Sequence, residues 1–147
     1  MKSDKEVIYS VVIPVYNSEA IVGETIDRTT NFFDQHDLRY ELILINDGSR
    51  DDSWKIISEK ARVLPHVTAI NLLKNYGQHN ANMCGLKHTR GDFVITMDDD
   101  LQNPPEEIEK MIRKINEGYD LVIGQFKQKQ HAGYRRIGSK LIGLVNR

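Results

Sequence analysis

Three consecutive aspartates, Asp98, Asp99 and Asp100, follow the run "DFVITM" and lead into Leu101 and Gln102. Like charges at that spacing repel, so the cluster calls for a cation or strong hydrogen-bond donors nearby. A hard divalent cation such as Mg²⁺ or Mn²⁺ takes oxygen ligands, commonly one or two carboxylates, with phosphate oxygens and water completing the shell. In an extended segment alternate residues point the same way, so Asp98, Asp100 and Gln102 share one side and Asp99 faces the other. That spacing predicts a cation clamp at the end of a buried strand. The competing reading is a solvated turn with capping carboxylates, since aspartate is common in turns.

Other polar stretches sit just after apolar runs: "PVYNSE", "NDGSRDD" and "KNYGQHN". Pro14 within its run predicts an interrupted or edge-like strand end. Tyr16 can stack on a base or simply pack as an aromatic. Asp47 can accept from a nucleobase N–H or a ribose hydroxyl, or merely form an Asp-Gly turn. Gln78 belongs to an amide-rich stretch suited to sugar or phosphate, which a helix N-cap explains equally well. His79 and His88 lack metal-ligand spacing. No G-x-G-x-x-G follows the first run and no G-x-x-x-x-G-K-[ST] occurs, so neither a dinucleotide fold nor a P-loop is supported.

The elements that must position these residues alternate along the chain. "YSVVIPVY", "YELILIN", "VTAINLL", "DFVITMD" and "DLVIG" have strand length and character, and stretches of helical period separate them. Ser18 is expected to cap the first helix, Asp51 or Asp52 the second, and Pro105 with Glu106 and Glu107 suits a first helical turn. Gly91 and Gly118 stand where helices should stop. Continuous apolar strands alternating with helices predict an α/β fold, a doubly wound and mostly parallel sheet with helices on both faces, Rossmann-like. In such sheets ligands bind beyond the carboxyl ends of the strands, where all four polar stretches fall.

Composition sets the frame. With 147 residues the chain can bury one sizeable core, and its single cysteine, Cys84, allows no internal disulfide and fits a reducing setting. No run of about 18 apolar residues is present. The net charge of −1 hides an asymmetry: residues 1–120 carry −7, and residues 121–147 carry +6 without one acid. No nucleic-acid partner is expected. Ile137, Leu141, Leu144 and Val145 fall on one helical face, with Arg135, Arg136 and Lys140 around it. Such a segment either lies at an anionic surface or packs as an ordinary helix.

Taken in order, "SVVIPVYN", "LINDGS", "NYGQHNANMCGL" and "GDFVITMDDDLQNPPEEI" resemble the family 2 nucleotide-sugar glycosyltransferases of GT-A fold, within them the polyprenyl-phosphate sugar transferases. The resemblance implies that Pro14, Tyr16 and Asp47 hold base and ribose, and that Asp98, Asp100 and Gln102 bind Mg²⁺ or Mn²⁺, with Asp98 and Asp100 the catalytic pair. Glu19 and Gln78 would join the donor contacts, and Arg135 and Arg136 a phosphate. The family pattern places Glu directly after "YN", whereas here Ser18 intervenes before Glu19. Asn46 replaces a frequent Asp, and Gln125 stands where relatives have Arg.

The resemblance further implies an inverting transfer from a nucleotide sugar, UDP favoured and GDP possible, to a polyprenyl-phosphate acceptor at the cytoplasmic face of the inner membrane. Transfer to a sugar or polysaccharide acceptor, and non-catalytic nucleotide-sugar binding, are the alternatives. Family members extend well past this sequence, so the C-terminal part of the fold is expected to be missing. Residues 1–124 would then form the donor-binding domain and residues 125–147 a basic segment in peripheral membrane contact, leading to the acceptor region.

Overall fold

The computed structural model of the chain describes residues 7–124. The chain divides into two compact units, 1–109 and 110–147. The first contains strands β1 (Ile8–Val15), β2 (Arg39–Asn46), β3 (Val67–Asn71) and β4 (Phe93–Thr96), and helices α1 (Val22–Gln35), α2 (Ser53–Val63) and α3 (Gln78–Leu86). A 3-10 turn, Pro105–Glu107, precedes helix α4 (Ile108–Asn116). All strand pairs are parallel, in the order β3-β2-β1-β4. The expected α/β alternation is present.

Residues on β1 and β2 explain the core. Val11, Val12, Ile13 and Val15 of β1 and Leu42 to Ile45 of β2 are buried, as continuous apolar strands must be when helices cover both faces. On one face Val12, Ile43 and Ile45 pack with Ala81 of α3. On the other, Tyr9 lies 6.0 Å from Phe33 of α1, and Phe33 stacks on Tyr40 at 4.6 Å. The approach of α3 is close enough that a Cβ at Gly85 would stand 2.4 Å from Val12 Cγ1.

Several expectations need correction. β4 is not a buried strand: among the described residues it is the sheet's edge, and Val94 is 44% exposed. Pro14 is as expected: β1 is central in the sheet, but at Pro14 it is paired, among the described residues, with β2 alone, an edge-like strand end. Asp92 N–H donates to Ile8 O at 2.7 Å and Met97 N–H to Val12 O at 3.1 Å, so even-numbered β1 residues face β4. Pro14 shares that side, but β4 has already ended at Thr96 opposite Val12, and no ladder bond is lost there. The stretch "DLVIG" forms no strand. Leu121 is 75% and Ile123 80% exposed, and among the described residues no strand pairs with this segment, so its backbone is not satisfied as a strand.

Caps were read partly correctly. Ser18 does not cap α1 with its side chain; its carbonyl instead accepts from Ile21 N–H at 3.0 Å and Val22 N–H at 2.9 Å. Asp52 stands at the N-cap of α2 without a side-chain cap bond, and Asp51, one residue earlier, accepts from Ser53 N–H at 3.0 Å. Pro105 opens its 3-10 turn as expected, and Gly118, at φ 100°, follows the end of α4. Gly91 stops no helix: α3 ends at Leu86, and Gly91 N–H instead donates to Ser10 Oγ at 2.8 Å.

Candidate active site at the carboxyl ends of the strands

The strand order reverses between β1 and β4, because β1 to β3 run outward on one side and β4 is added on the other. A crevice at this switch point is where doubly wound sheets receive ligands. The β1 end delivers Tyr16, Asn17 and Ser18, and the β4 end delivers Asp98 to Gln102. Both segments carry left-handed residues, Asn17 at φ 50° and Leu101 at φ 55°. For Leu101 this conformation is disfavoured, and disfavoured backbone concentrates at functional turns.

The three aspartates part company. Asp98 is exposed, and its Oδ1 accepts from Gln78 Nε2 at 2.6 Å, which brings the start of α3 to the β4 end. Asp100 Oδ1 accepts from Gln102 N–H at 2.9 Å within its own turn. Asp99 takes different partners from its neighbours, in a stretch that bends after Thr96 rather than continuing as strand. Its carboxylate accepts from Ser18 Oγ and its carbonyl accepts from Thr25 Oγ1 at 2.8 Å. Burial, the largest influence, raises the Asp99 carboxyl above its ordinary value, against the opposing pull of the Ser18 hydroxyl and backbone N–H groups.

Other expected residues are placed as follows. Tyr16 is 45% exposed beyond β1. Asp47 is 2% exposed, and its carboxylate accepts from Tyr76 N–H at 2.7 Å and Gly77 N–H at 2.9 Å. It therefore grips the loop between β3 and α3. Gly48 beside it adopts φ 67°, and a Cβ there would lie 2.4 Å from Asn75 N, so only glycine fits between the two loops. Glu19 accepts from Asp52 N–H at 2.8 Å, and its own N–H donates to Asp51 at 3.0 Å. These bonds tie Glu19 to the start of α2. Arg135 and Arg136, and the apolar face from Ile137 to Val145, lie outside the described residues.

Asp51 links this geometry to pH. Burial raises its pKa, but hydrogen bonds from Ser53 and Glu19 outweigh burial, and the net value lies below the ordinary 3.8. A carboxylate depressed on folding contributes stability that is complete above the ordinary value and lost as pH falls through the folded value. Asp51→Asn should accordingly flatten the acid limb of stability below about pH 4. Urea midpoints measured through that range check it, and parallel acid limbs in wild type and variant would contradict it.

Sequence reasoning missed Ser18, Thr25 and Ser53 as partners of the site. The bonds of the first two to Asp99 join residues 81 and 74 positions apart, which no local pattern signals.

With the geometry in place, comparison with known proteins decides the family. The pattern of "Glycosyl transferase family 2" matches residues 10–144. The chain belongs to this family. A curated relative from Shewanella sediminis (strain HAW-EB3), named undecaprenyl-phosphate 4-deoxy-4-formamido-L-arabinose transferase, is 50% identical to this family 2 chain over 151 residues. The match takes in 100% of this chain and 45% of that relative, so the chain spans about half the length of the curated relatives it matches. A solved mycobacterial protein is 27% identical with a TM-score of 0.60, covering 78% of this chain and 38% of its own. S. aureus TarS 1-349 is 24% identical with a TM-score of 0.58, covering 82% and 40%. The fold of the family 2 chain is the α/β GT-A arrangement, of which it presents a part.

Proposed function

We propose that the chain is the donor-binding part of an inverting glycosyltransferase that moves a sugar from a nucleotide sugar, UDP favoured, to a polyprenyl phosphate. The observation that carries this reading is the position of Asp98 and Asp100 just beyond β4, beside the end of β1, in a chain 50% identical to a named undecaprenyl-phosphate sugar transferase. Preference for UDP over GDP rests on the resemblance of "NYGQH" and "DLQNPPEEI" to bacterial relatives.

The donor set suits a hard cation. Among the described residues no group of three or more His, Cys, Asp or Glu side chains could hold a metal ion. Two carboxylates and an amide oxygen still match Mg²⁺ or Mn²⁺, which takes one or two carboxylates and fills its shell with phosphate oxygens and water. Asp98, Asp100 and Gln102 would hold it, and Gln78 fixes the rotamer of Asp98 through its 2.6 Å bond. When bound, such a cation stabilises charge developing on a departing diphosphate. Tyr16 is exposed to pack against the base, and Pro14 shapes the strand end beneath it. Glu19 shapes the adjoining loop. The base-contacting role expected of Asp47 passes in this reading to the loop that it grips.

A polyprenyl phosphate is already ionised near neutral pH, so the acceptor needs no strong general base. Arg135 and Arg136 would meet that phosphate, and residues 125–147 would touch the membrane surface, salt-sensitively. None of the described helices is long and apolar enough to cross a membrane.

Calorimetric titration of UDP, GDP and their sugars, with and without Mn²⁺, tests the reading. Mn²⁺ should tighten UDP binding, and Asp100→Ala should weaken the Mn²⁺-dependent part by about 100-fold, as loss of a metal-site group does. Equal Mn²⁺-dependent binding by wild type and Asp100→Ala would sink the metal assignment. Tighter binding of GDP than UDP would overturn the base choice.

A further inference from the structure

We propose that Ser18 is a positioning residue for the aspartate cluster: by binding the Asp99 carboxylate it fixes the turn after β4, so that Asp98 and Asp100 are presented together. The inference rests on the proposed metal-dependent reading of the site and adds a residue to it.

Both ends of this contact are anchored. Ser18 N–H donates to Ser53 Oγ at 2.8 Å, and Ser53 is fully buried at the start of α2. The carbonyl of Ser18 closes the turn into α1 through Ile21 and Val22. The Ser18 hydroxyl is therefore presented by two helices rather than by a loose loop. On the other side, the Asp99 carboxylate accepts from the Ser18 hydroxyl and from the Tyr16 backbone N–H, its carbonyl accepts from Thr25 of α1, and the Ser18 hydroxyl also lies 3.2 Å from Tyr16 O. The contact joins residues 81 positions apart, so local turn preference cannot account for it.

Charge and conformation give the contact its consequence. Three adjacent carboxylates repel, and three pointing one way would oppose one another at a single cation. Drawing the middle one onto a neutral hydroxyl satisfies it where it is half-buried, while the Asp100 charge still acts on it. The next residue but one, Leu101, holds a φ of 55°, a conformation that the surroundings must impose on it. The Asp99 tether before Leu101, and the bond from Gln102 N–H to Asp100 that spans it, act on that conformation. Ser18 is also the residue that intervenes before Glu19, where the family pattern places Glu directly after "YN".

The test measures two properties of the whole chain. Calorimetry of UDP with Mn²⁺ should show Ser18→Ala weakened by about tenfold, the scale of one hydrogen bond to a charged group. Metal-free UDP affinity should stay near wild type while the urea midpoint falls slightly, and Ser18→Thr, which retains the hydroxyl, should restore both the midpoint and metal-dependent affinity. Hydrogen exchange in the ligand-free chain should quicken at the Gln102 amide in Ser18→Ala. Unchanged exchange, or Mn²⁺-dependent affinity equal to wild type where wild type responds to Mn²⁺, would overturn the role of Ser18. Quickened exchange in a chain whose UDP binding never responds to Mn²⁺ would uphold the tether and overturn the metal reading instead.

Discussion

Replacing Asp47 with alanine should cost the domain about 2 kcal/mol, because two part-buried backbone donors would lose a charged acceptor at once, Gly77 N–H keeping only Asn75 Oδ1 at 3.1 Å. Those donors are Tyr76 N–H and Gly77 N–H, and the acid that serves them is 2% exposed. Asp47→Asn keeps the shape but offers one oxygen in place of two, so its amide would face an N–H. It should lose about half as much. Urea unfolding gives both values. A nucleotide titration on the same proteins separates support from contact. If Asp47 holds the loop, both variants weaken UDP and GDP alike, in step with lost stability. If Asp47 reads the base directly, Asp47→Asn should change the UDP to GDP ratio while stability holds, and that outcome would return to it the role expected from sequence.

The second large effect is expected far from the ligand. Phe33 is fully buried on α1 and stands against Phe32 edge-on at 5.2 Å, against Tyr40 at 4.6 Å and against Tyr9 at 6.0 Å. Phe33→Ala removes the centre of that cluster and should cost about 4 kcal/mol, combining lost transfer energy with the cavity left behind. Nearby Tyr40 feels the same dry surroundings: burial, the largest cause, drives its hydroxyl well above the usual tyrosine range. Because α1 also carries Thr25, which bonds the Asp99 carbonyl, loss of ligand affinity should accompany loss of stability. A Phe33→Leu variant keeps most of the volume and should recover most of both. Equal urea midpoints for Phe33→Ala and wild type would show that the aromatic cluster contributes little.

What could be seen in advance followed from how far each property depends on distant parts of the chain. The apolar runs of β1 and β2 and the spacing of α1 are local, and they emerged where expected. Asp98 and Asp99 do take different partners, Gln78 and Ser18, but the chain bends after Thr96, so strand alternation alone does not set their directions. Whether β4 is central or peripheral is not local either, because strand order is decided by pairing partners; its "DFVITMD" looks as apolar as a buried strand would. Asp47 shows the same limit. Its position after β2 was legible, but its burial depends on Tyr76 and Gly77 arriving 29 and 30 residues later. Ser18 looked like a helix cap because serine often is one. Its hydroxyl was claimed instead by an acid 81 residues away. "DLVIG" has the composition of a strand, but composition supplies no neighbour.

The placement of β4 against β1 also sets an order of events during folding. β1, β2 and β3 adjoin their sequence neighbours, each through one helical crossover, and can pair over short loops. The remaining pairing joins segments as far apart as Ile8 and Asp92, 84 residues, and closing so long a loop delays it relative to the others. Until then β1 keeps one unpaired edge, the position most open to a wrong partner. The acidic turn is therefore expected to assemble last, on a β1–β2–β3 platform already formed, so that folding of the sheet and completion of the site are the same step.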